Sequence, residues 1–195
     1  MTNIYIRMPR TGTTSMMQIT KINVFMASQM GFISDHQNKL TNKKSDNLSI
    51  CVRDYVGKRT WNTAYKFTTI RNPYDRVVSM WKHFTWCHIP TFNDFCKKII
   101  SDDDKTEMQE WHTQDFYSHL FENDVFLMDG YLRFENLQQD FDAVCDEIGI
   151  PKQELPHKNK SNRKHYTEYY DEETKQIVAE RYAKDIEYFG YEFGG

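Results

Sequence analysis

Apolar residues fall in short blocks separated by polar runs, and the spacing inside each block predicts an element. Ile4, Tyr5 and Ile6 make an unbroken apolar run within residues 3–8, which predicts a buried strand. Residues 9–13 read as a tight loop. Residues 14–30 read as a long helix with Met17, Ile22, Phe25 and Met26 among its apolar positions. Gly31-Phe32-Ile33-Ser34 predicts a second short strand. Residues 35–47 are rich in Asn, Lys and Ser and read as an exposed loop. Leu48–Val56 predicts a short helix stopped by Gly57. Tyr65–Ile70 is rich in β-formers and predicts a buried strand. Pro73 suits the first turn of the next helix, which carries Val77, Val78, Met80, Trp81 and Phe84. Thr91-Phe92-Asn93-Asp94 opens another helix in the manner of a capping box. Residues 125–128 and 131–134 are strand-like around Asp129-Gly130, Leu137–Ile148 is amphipathic, and residues 171–188 read as a final helix closed by Phe189-Gly190. Strands alternating with helices predict an α/β fold with a mainly parallel sheet, in a single domain over residues 1–195.

Composition narrows the class. Charged residues make up 27% and mean hydropathy is −0.77, which fits a globular chain. No apolar run is long enough to span a membrane. The net charge is −3, so the chain is not a nonspecific nucleic-acid binder, and any anion site has to be local. Aromatics reach 15%, which allows ring-lined clefts for sugars or bases. Cys51, Cys87, Cys96 and Cys145 form no CxxC pair and read as buried thiols of a reducing compartment, with neither a disulfide framework nor a zinc site. The sequence opens directly on a strand-like run without a basic and then apolar leader, so a cytoplasmic location is expected.

Two stretches carry chemistry. In Arg7-Met8-Pro9-Arg10-Thr11-Gly12-Thr13-Thr14-Ser15 a strand runs into a glycine loop and then a helix. Such a loop aims several backbone N–H groups at one spot, and the helix N-terminus adds partial positive charge. Thr13, Thr14 and Ser15 add hydroxyls and Arg10 adds a cation. A Walker A loop needs a lysine where this chain has Thr13, so the stretch fits an ATPase or GTPase poorly. The second stretch is Phe67-Thr68-Thr69-Ile70-Arg71-Asn72-Pro73-Tyr74-Asp75-Arg76-Val77-Val78-Ser79-Met80-Trp81. Arg71 ends a strand and Ser79 lies two turns into the following helix, so both can serve one pocket, and the planar fork of Arg71 suits a phosphate. For Arg76 a surface role, pairing with Asp75 or covering the helix, is expected.

These residues resemble those of the sulfotransferases that use 3′-phosphoadenosine 5′-phosphosulfate (PAPS). Pro9-Arg10-Thr11-Gly12-Thr13-Thr14 looks like their 5′-phosphosulfate loop, and the run from Arg71 to Ser79 looks like their 3′-phosphate motif. A third set is similar to carbohydrate sulfotransferases of the heparan and chondroitin type and their bacterial relatives. It comprises Leu132-Arg133-Phe134-Glu135-Asn136-Leu137, Asn159-Lys160-Ser161, Tyr169-Tyr170, and the run from Asp185 to Tyr191. The resemblance implies a P-loop-like central parallel sheet flanked by helices, the sulfotransferase fold. It implies PAPS as donor, PAP as product, no metal, and a hydroxyl acceptor on a carbohydrate. By residue, it assigns Arg10, Thr11, Gly12, Thr13, Thr14 and Ser15 to the 5′ end of the nucleotide. Arg71 and Ser79 go to the 3′-phosphate, and Lys160, Ser161 and Arg163 close over the nucleotide. Arg10 stands where many members have lysine and stabilises charge on the leaving oxygen.

An acceptor hydroxyl has a pKa far above 7, so proton removal must accompany its attack. His36, within Asp35-His36-Gln37, resembles the family's basic residue, with Asp35 and Asp46 as alternatives. Two other readings stay open: a P-loop kinase of small molecules, and a protein that binds PAPS or PAP without catalysis.

Overall fold

The computed structural model describes residues 2–12, 16, 19, 22, 24–27, 33–35, 40–41, 47–84, 88–101, 107–156 and 163–195, with 24–27, 33–35, 40–41, 107–108 and 111 as backbone only. In chain order its elements are β1 (Asn3–Ile6), β2 (Val24–Ala27), β3 (Ile33–Asp35), β4 (Leu40–Thr41), α1 (Leu48–Val56), α2 (Lys58–Thr63), β5 (Tyr65–Ile70) and α3 (Pro73–His83). There follow α4 (Phe92–Phe95), which runs on as a wide turn over Cys96–Ile100, then α5 (Glu107–Thr113), α6 (Phe116–Leu120), β6 (Phe121–Glu122), β7 (Val125–Phe126) and β8 (Gly130–Arg133). The last are α7 (Leu137–Ile148), α8 (Glu172–Arg181) and α9 (Ala183–Phe189). The chain divides into two compact units, residues 1–70 with 118–160, and residues 71–117 with 161–195.

The first unit is built on a six-stranded sheet in the order β4-β3-β2-β1-β5-β8. β2, β1, β5 and β8 run parallel, while β3 and β4 are antiparallel additions at one edge. β1 and β5 pair with Tyr5 opposite Phe67 and Ile6 opposite Thr68. Every residue of β1 is buried, as are Phe67–Ile70 of β5, which fits the unbroken apolar run of Ile4–Ile6 and the β-formers of Tyr65–Ile70. Their buried hydroxyls are satisfied inside the sheet. Tyr5 Oη and Thr69 Oγ1 share a 2.8 Å hydrogen bond, and Thr68 Oγ1 donates to Ile6 O at 2.8 Å. α7 buries Phe141, Val144, Cys145 and Ile148, an i, i+3, i+4, i+7 spacing that lays one stripe against Tyr5, Phe67 and Leu132. It ends at Gly149, whose φ of 71° takes the left-handed region open to glycine.

Several predicted boundaries move. Val24–Ala27 is a strand parallel to β1, not the end of a helix over residues 14–30. Phe25 and Met26 fit a helical period, yet Val24, Phe25, Met26 and Ala27 are also four consecutive apolar residues, and a place beside β1 makes them a strand. The loop expected over 35–47 contains β4. Of residues 125–128 only Val125 and Phe126 are strand, in a small hairpin with β6, and Phe134 falls in a 3₁₀ turn after β8. α2 was not foreseen at all.

The second unit packs α3, α4, α8 and the wide turn around Val77, Val78, Met80, Phe84, Phe92, Phe95 and Val178. The helix expected over 171–188 is interrupted at Tyr182, whose buried hydroxyl donates to Thr113 O at 2.7 Å. Asp185 is buried and accepts from the backbone N–H groups of Phe116 (2.9 Å) and Tyr117 (2.8 Å) at the start of α6. Burial first, and neighbouring Asp115 second, push its carboxyl up to about 7. Arg76 departs furthest from expectation. It is fully buried, not on the surface and not paired with Asp75. Its Nη2 donates to His112 O (3.0 Å) and Gln114 O (2.9 Å), and its guanidinium lies 4.3 Å from the Phe116 ring centre. A guanidinium can enter a core where carbonyls and an aromatic face replace its water.

Cys51, Cys96 and Cys145 are buried and in no disulfide, and burial pushes the Cys96 thiol up to about 12, so it is inert as a nucleophile. Cys87 lies outside the described residues. Among the described residues no helix is long and apolar enough to cross a membrane, and no three His, Cys, Asp or Glu side chains group as a metal would require.

Candidate functional site

In the first unit the chain leaves β1 at Ile6 and turns through Pro9–Gly12. Arg10 has φ 62° and Gly12 has φ 71°, with Thr11 on the ordinary side between them. That alternation of hand turns successive N–H groups toward one side, the arrangement that makes an anion nest. A methyl group on Gly12 would meet the Phe134 ring at 2.5 and 2.7 Å, so glycine is required both by backbone hand and by space. Thr11 is fully buried and its hydroxyl donates to Met8 O at 3.0 Å, closing the turn. The Thr11 side chain therefore braces the loop. Arg10 is half-buried, as is Arg7, whose pKa burial draws below the usual guanidinium value. Thr13, Thr14 and Ser15 lie outside the described residues.

In the second unit Asn72 opens α3. Its side chain accepts from Tyr74 N (3.1 Å) and donates to Glu192 O (2.9 Å), and Pro73 follows where its missing N–H costs nothing. Arg71, immediately before this cap, is 5% exposed. Its Nε and Nη2 donate to Asp75 Oδ2 at 2.8 and 2.7 Å. Arg163 Nη2 donates to the other carboxylate oxygen, Asp75 Oδ1. Asp75 thus joins the guanidinium group four positions before it to one 88 positions after it. Ser79 is buried one turn further along the same face of α3. Arg163 Nη1 is buried and has no hydrogen-bond partner among the described residues. An inward guanidinium N–H in that condition fits an anionic ligand.

Of the sequence-predicted site residues, the second unit brings Arg71 and Arg163 together on Asp75 and carries Ser79 on α3 one turn beyond Asp75, and the first holds Arg10, Thr11 and Gly12 on one turn. His36, Asp46, Lys160 and Ser161 lie outside the described residues, and Asp35 is described only as the backbone end of β3. Sequence reasoning offers Asp75 only as a partner for Arg76 and gives Phe134 no part in the site. Asp75 was discoverable from its spacing of four from both Arg71 and Ser79. Nothing local in the sequence pairs Phe134 with Gly12.

The chain belongs to the sulfotransferase family, whose profile matches residues 4–192. The match takes in both motifs, the sheet and both units. No curated protein and no solved structure matches the chain. The family's chemistry is sulfuryl transfer to an acceptor, and the mixed α/β architecture is consistent with its fold.

Proposed function

We propose that this chain transfers a sulfuryl group from PAPS to a hydroxyl group of a carbohydrate. The observation that carries the donor assignment is the cluster of Arg71, Asp75 and Arg163, with the buried Arg163 Nη1 beside it. It fits a phosphate separate from the one on the glycine loop, and PAPS carries such a phosphate at its 3′ position whereas ATP does not. Arg71 and Ser79 would hold that 3′-phosphate. Thr11, Gly12, Thr13, Thr14 and Ser15 would hold the 5′ end, with Lys160, Ser161 and Arg163 closing over the nucleotide. The single-domain reading of residues 1–195 belongs to this proposal.

Bound PAPS supplies the sulfuryl group and leaves as PAP. His36 removes the proton of the acceptor hydroxyl as its oxygen attacks. Arg10 and the loop N–H groups stabilise the negative charge left on the phosphate oxygen. These fixed cations and donors supply the charge that the reaction needs, so the proposal includes no metal. The buried free thiols suit a reducing, cytoplasmic setting.

Calorimetry with PAP and ATP tests the donor. PAP is expected to bind at micromolar concentration or better and ATP far more weakly, and equal affinities would sink the assignment. Labelled PAPS offered with glycans, lipids and peptides then tests the acceptor. Label is expected in glycans, and label found only in peptides or lipids would move the acceptor class.

A further inference from the structure

We infer that Asp75 is the positioning residue for the 3′-phosphate, holding Arg71 and Arg163 as a preset pair so that the protein distinguishes a 3′-phosphorylated nucleotide from one without that group. The inference rests on the PAPS reading above and adds a residue to it. Arg71, Asp75 and Ser79 follow one another at intervals of four, so the carboxylate stands in the same row as both assigned phosphate ligands. A bare carboxylate there would repel a phosphate. This one is not bare: one oxygen takes the Nε and Nη2 of Arg71 and the other takes Nη2 of Arg163. The side chains of Arg71, Asp75 and Arg163 are 6%, 13% and 16% exposed, so water does little to screen them.

Two effects oppose each other at this position. The trio carries a net charge of +1, and a phosphomonoester brings about −1.5 to −2 at neutral pH. Charge counting alone therefore predicts that neutralising Asp75 tightens binding. Geometry predicts the reverse. The Nε–Nη2 edge of Arg71 is closed on Asp75, which fixes the plane of the fork, and recognition of phosphate by arginine depends on that plane. Without the carboxylate, two like charges held close together separate, and each long side chain regains its rotamers. Geometry wins here, because both arginines are held on one carboxylate, one oxygen to each, and lose that shared anchor together.

The test is calorimetry of the full chain with PAP and with AMP, which lacks the 3′-phosphate, for wild type, Asp75→Asn and Asp75→Glu. Wild type is expected to prefer PAP. Asp75→Asn is expected to lose roughly tenfold or more of that preference, with AMP affinity moving less than about twofold. Asp75→Glu keeps the charge but displaces the oxygens by one methylene, and about a threefold loss is expected. Tighter PAP binding by Asp75→Asn overturns the inference, since the carboxylate then merely repels. Equal loss of PAP and AMP affinity overturns it too, since the role is then structural. If Asp75→Asn does not fold by circular dichroism, Asp75→Glu carries the same comparison, and an unchanged preference overturns the inference. Wild type that binds PAP and AMP alike defeats the donor reading itself and this inference with it. A wild-type preference that survives in Asp75→Asn defeats this inference alone.

Discussion

Adding one methyl group at Gly12 tests how the phosphosulfate loop is built. The perturbation has two parts. With φ at 71°, alanine takes the left-handed conformation at a cost of about 1–2 kcal/mol. The new Cβ also meets Phe134 Cε2 at 2.5 Å and Cδ2 at 2.7 Å, whereas Leu137 Cδ2 at 3.8 Å is an ordinary contact. Relieving that overlap costs about 1–3 kcal/mol, less if the Phe134 ring swings aside. Gly12→Ala is therefore expected to lose about 2–5 kcal/mol, with the backbone part as a floor that no ring movement removes. At about 2–4 °C per kcal/mol for a chain of this size, the melting midpoint should fall by roughly 4–20 °C. PAP binding should weaken by about tenfold or more, because the loop N–H groups no longer converge. Combining Gly12→Ala with Phe134→Leu isolates the packing part, and a favourable coupling of about 1–3 kcal/mol is expected between the two. Strict additivity, or a Gly12→Ala variant that melts and binds like wild type, would refute the account of the loop.

Arg71→Ala should weaken PAP binding by about 1.5–3 kcal/mol, the loss of a charge-assisted contact; normal binding by calorimetry would remove the 3′-phosphate assignment. His36→Ala should lower turnover about 10²–10⁴-fold and leave PAP affinity unchanged, and a wild-type rate would direct attention to Asp35 and Asp46. Asp185 holds its proton to about pH 7 when folded but only to about pH 4 when unfolded. Between those values the native state binds more protons, so stability should fall as pH rises from about 4 to 7 and level off above, and Asp185→Asn should flatten that fall in urea midpoints. Arg76→Lys should cost about 1–3 kcal/mol, because a shorter side chain with a compact, strongly hydrated ammonium replaces the planar guanidinium that lies over Phe116 and reaches His112 O and Gln114 O through Nη2; an unchanged urea midpoint would contradict the buried role.

How far the fold was legible depends on what defined each element. β5, α1 and α7 were read at their observed bounds because each is fixed locally. β5 is a run of β-formers ended by Arg71-Asn72-Pro73, α1 is stopped by Gly57, and α7 shows one clean stripe of period 3.6. β2 differs from its expected helix because its four apolar residues suit either element, and pairing with β1 decides for a strand. The break at Tyr182 was invisible for the same reason: it accompanies a hydroxyl bond to Thr113, 69 positions away. The site followed this pattern. Gly12, Arg71 and Ser79 announce themselves by residue type and spacing, whereas the Phe134 ring over Gly12 and the Arg163 bond to Asp75 exist only after folding.

The second motif carries two sets of residues along α3 and the two positions that lead into it. Arg71, Asp75 and Ser79, four apart, form the face turned to a ligand in the present proposal. Asn72, Arg76 and Met80, one residue later and also four apart, face inward. Asn72 caps α3 and holds Glu192 O, Arg76 bonds two carbonyls near α5, and Met80 is fully buried. A helix advances 100° per residue, so two rows offset by one residue point in clearly different directions. The inner row fixes where the N-terminus of α3 lies, and the outer row inherits that position. This explains why two arginines in one short motif, Arg71 and Arg76, are not equivalent. The first donates to a largely buried carboxylate that also takes Arg163, and the second sits over the Phe116 ring with no access to solvent. Charge alone does not separate the two, but their place in the period of four does. Substitution in the outer row is then expected to show in nucleotide affinity, and substitution in the inner row in stability.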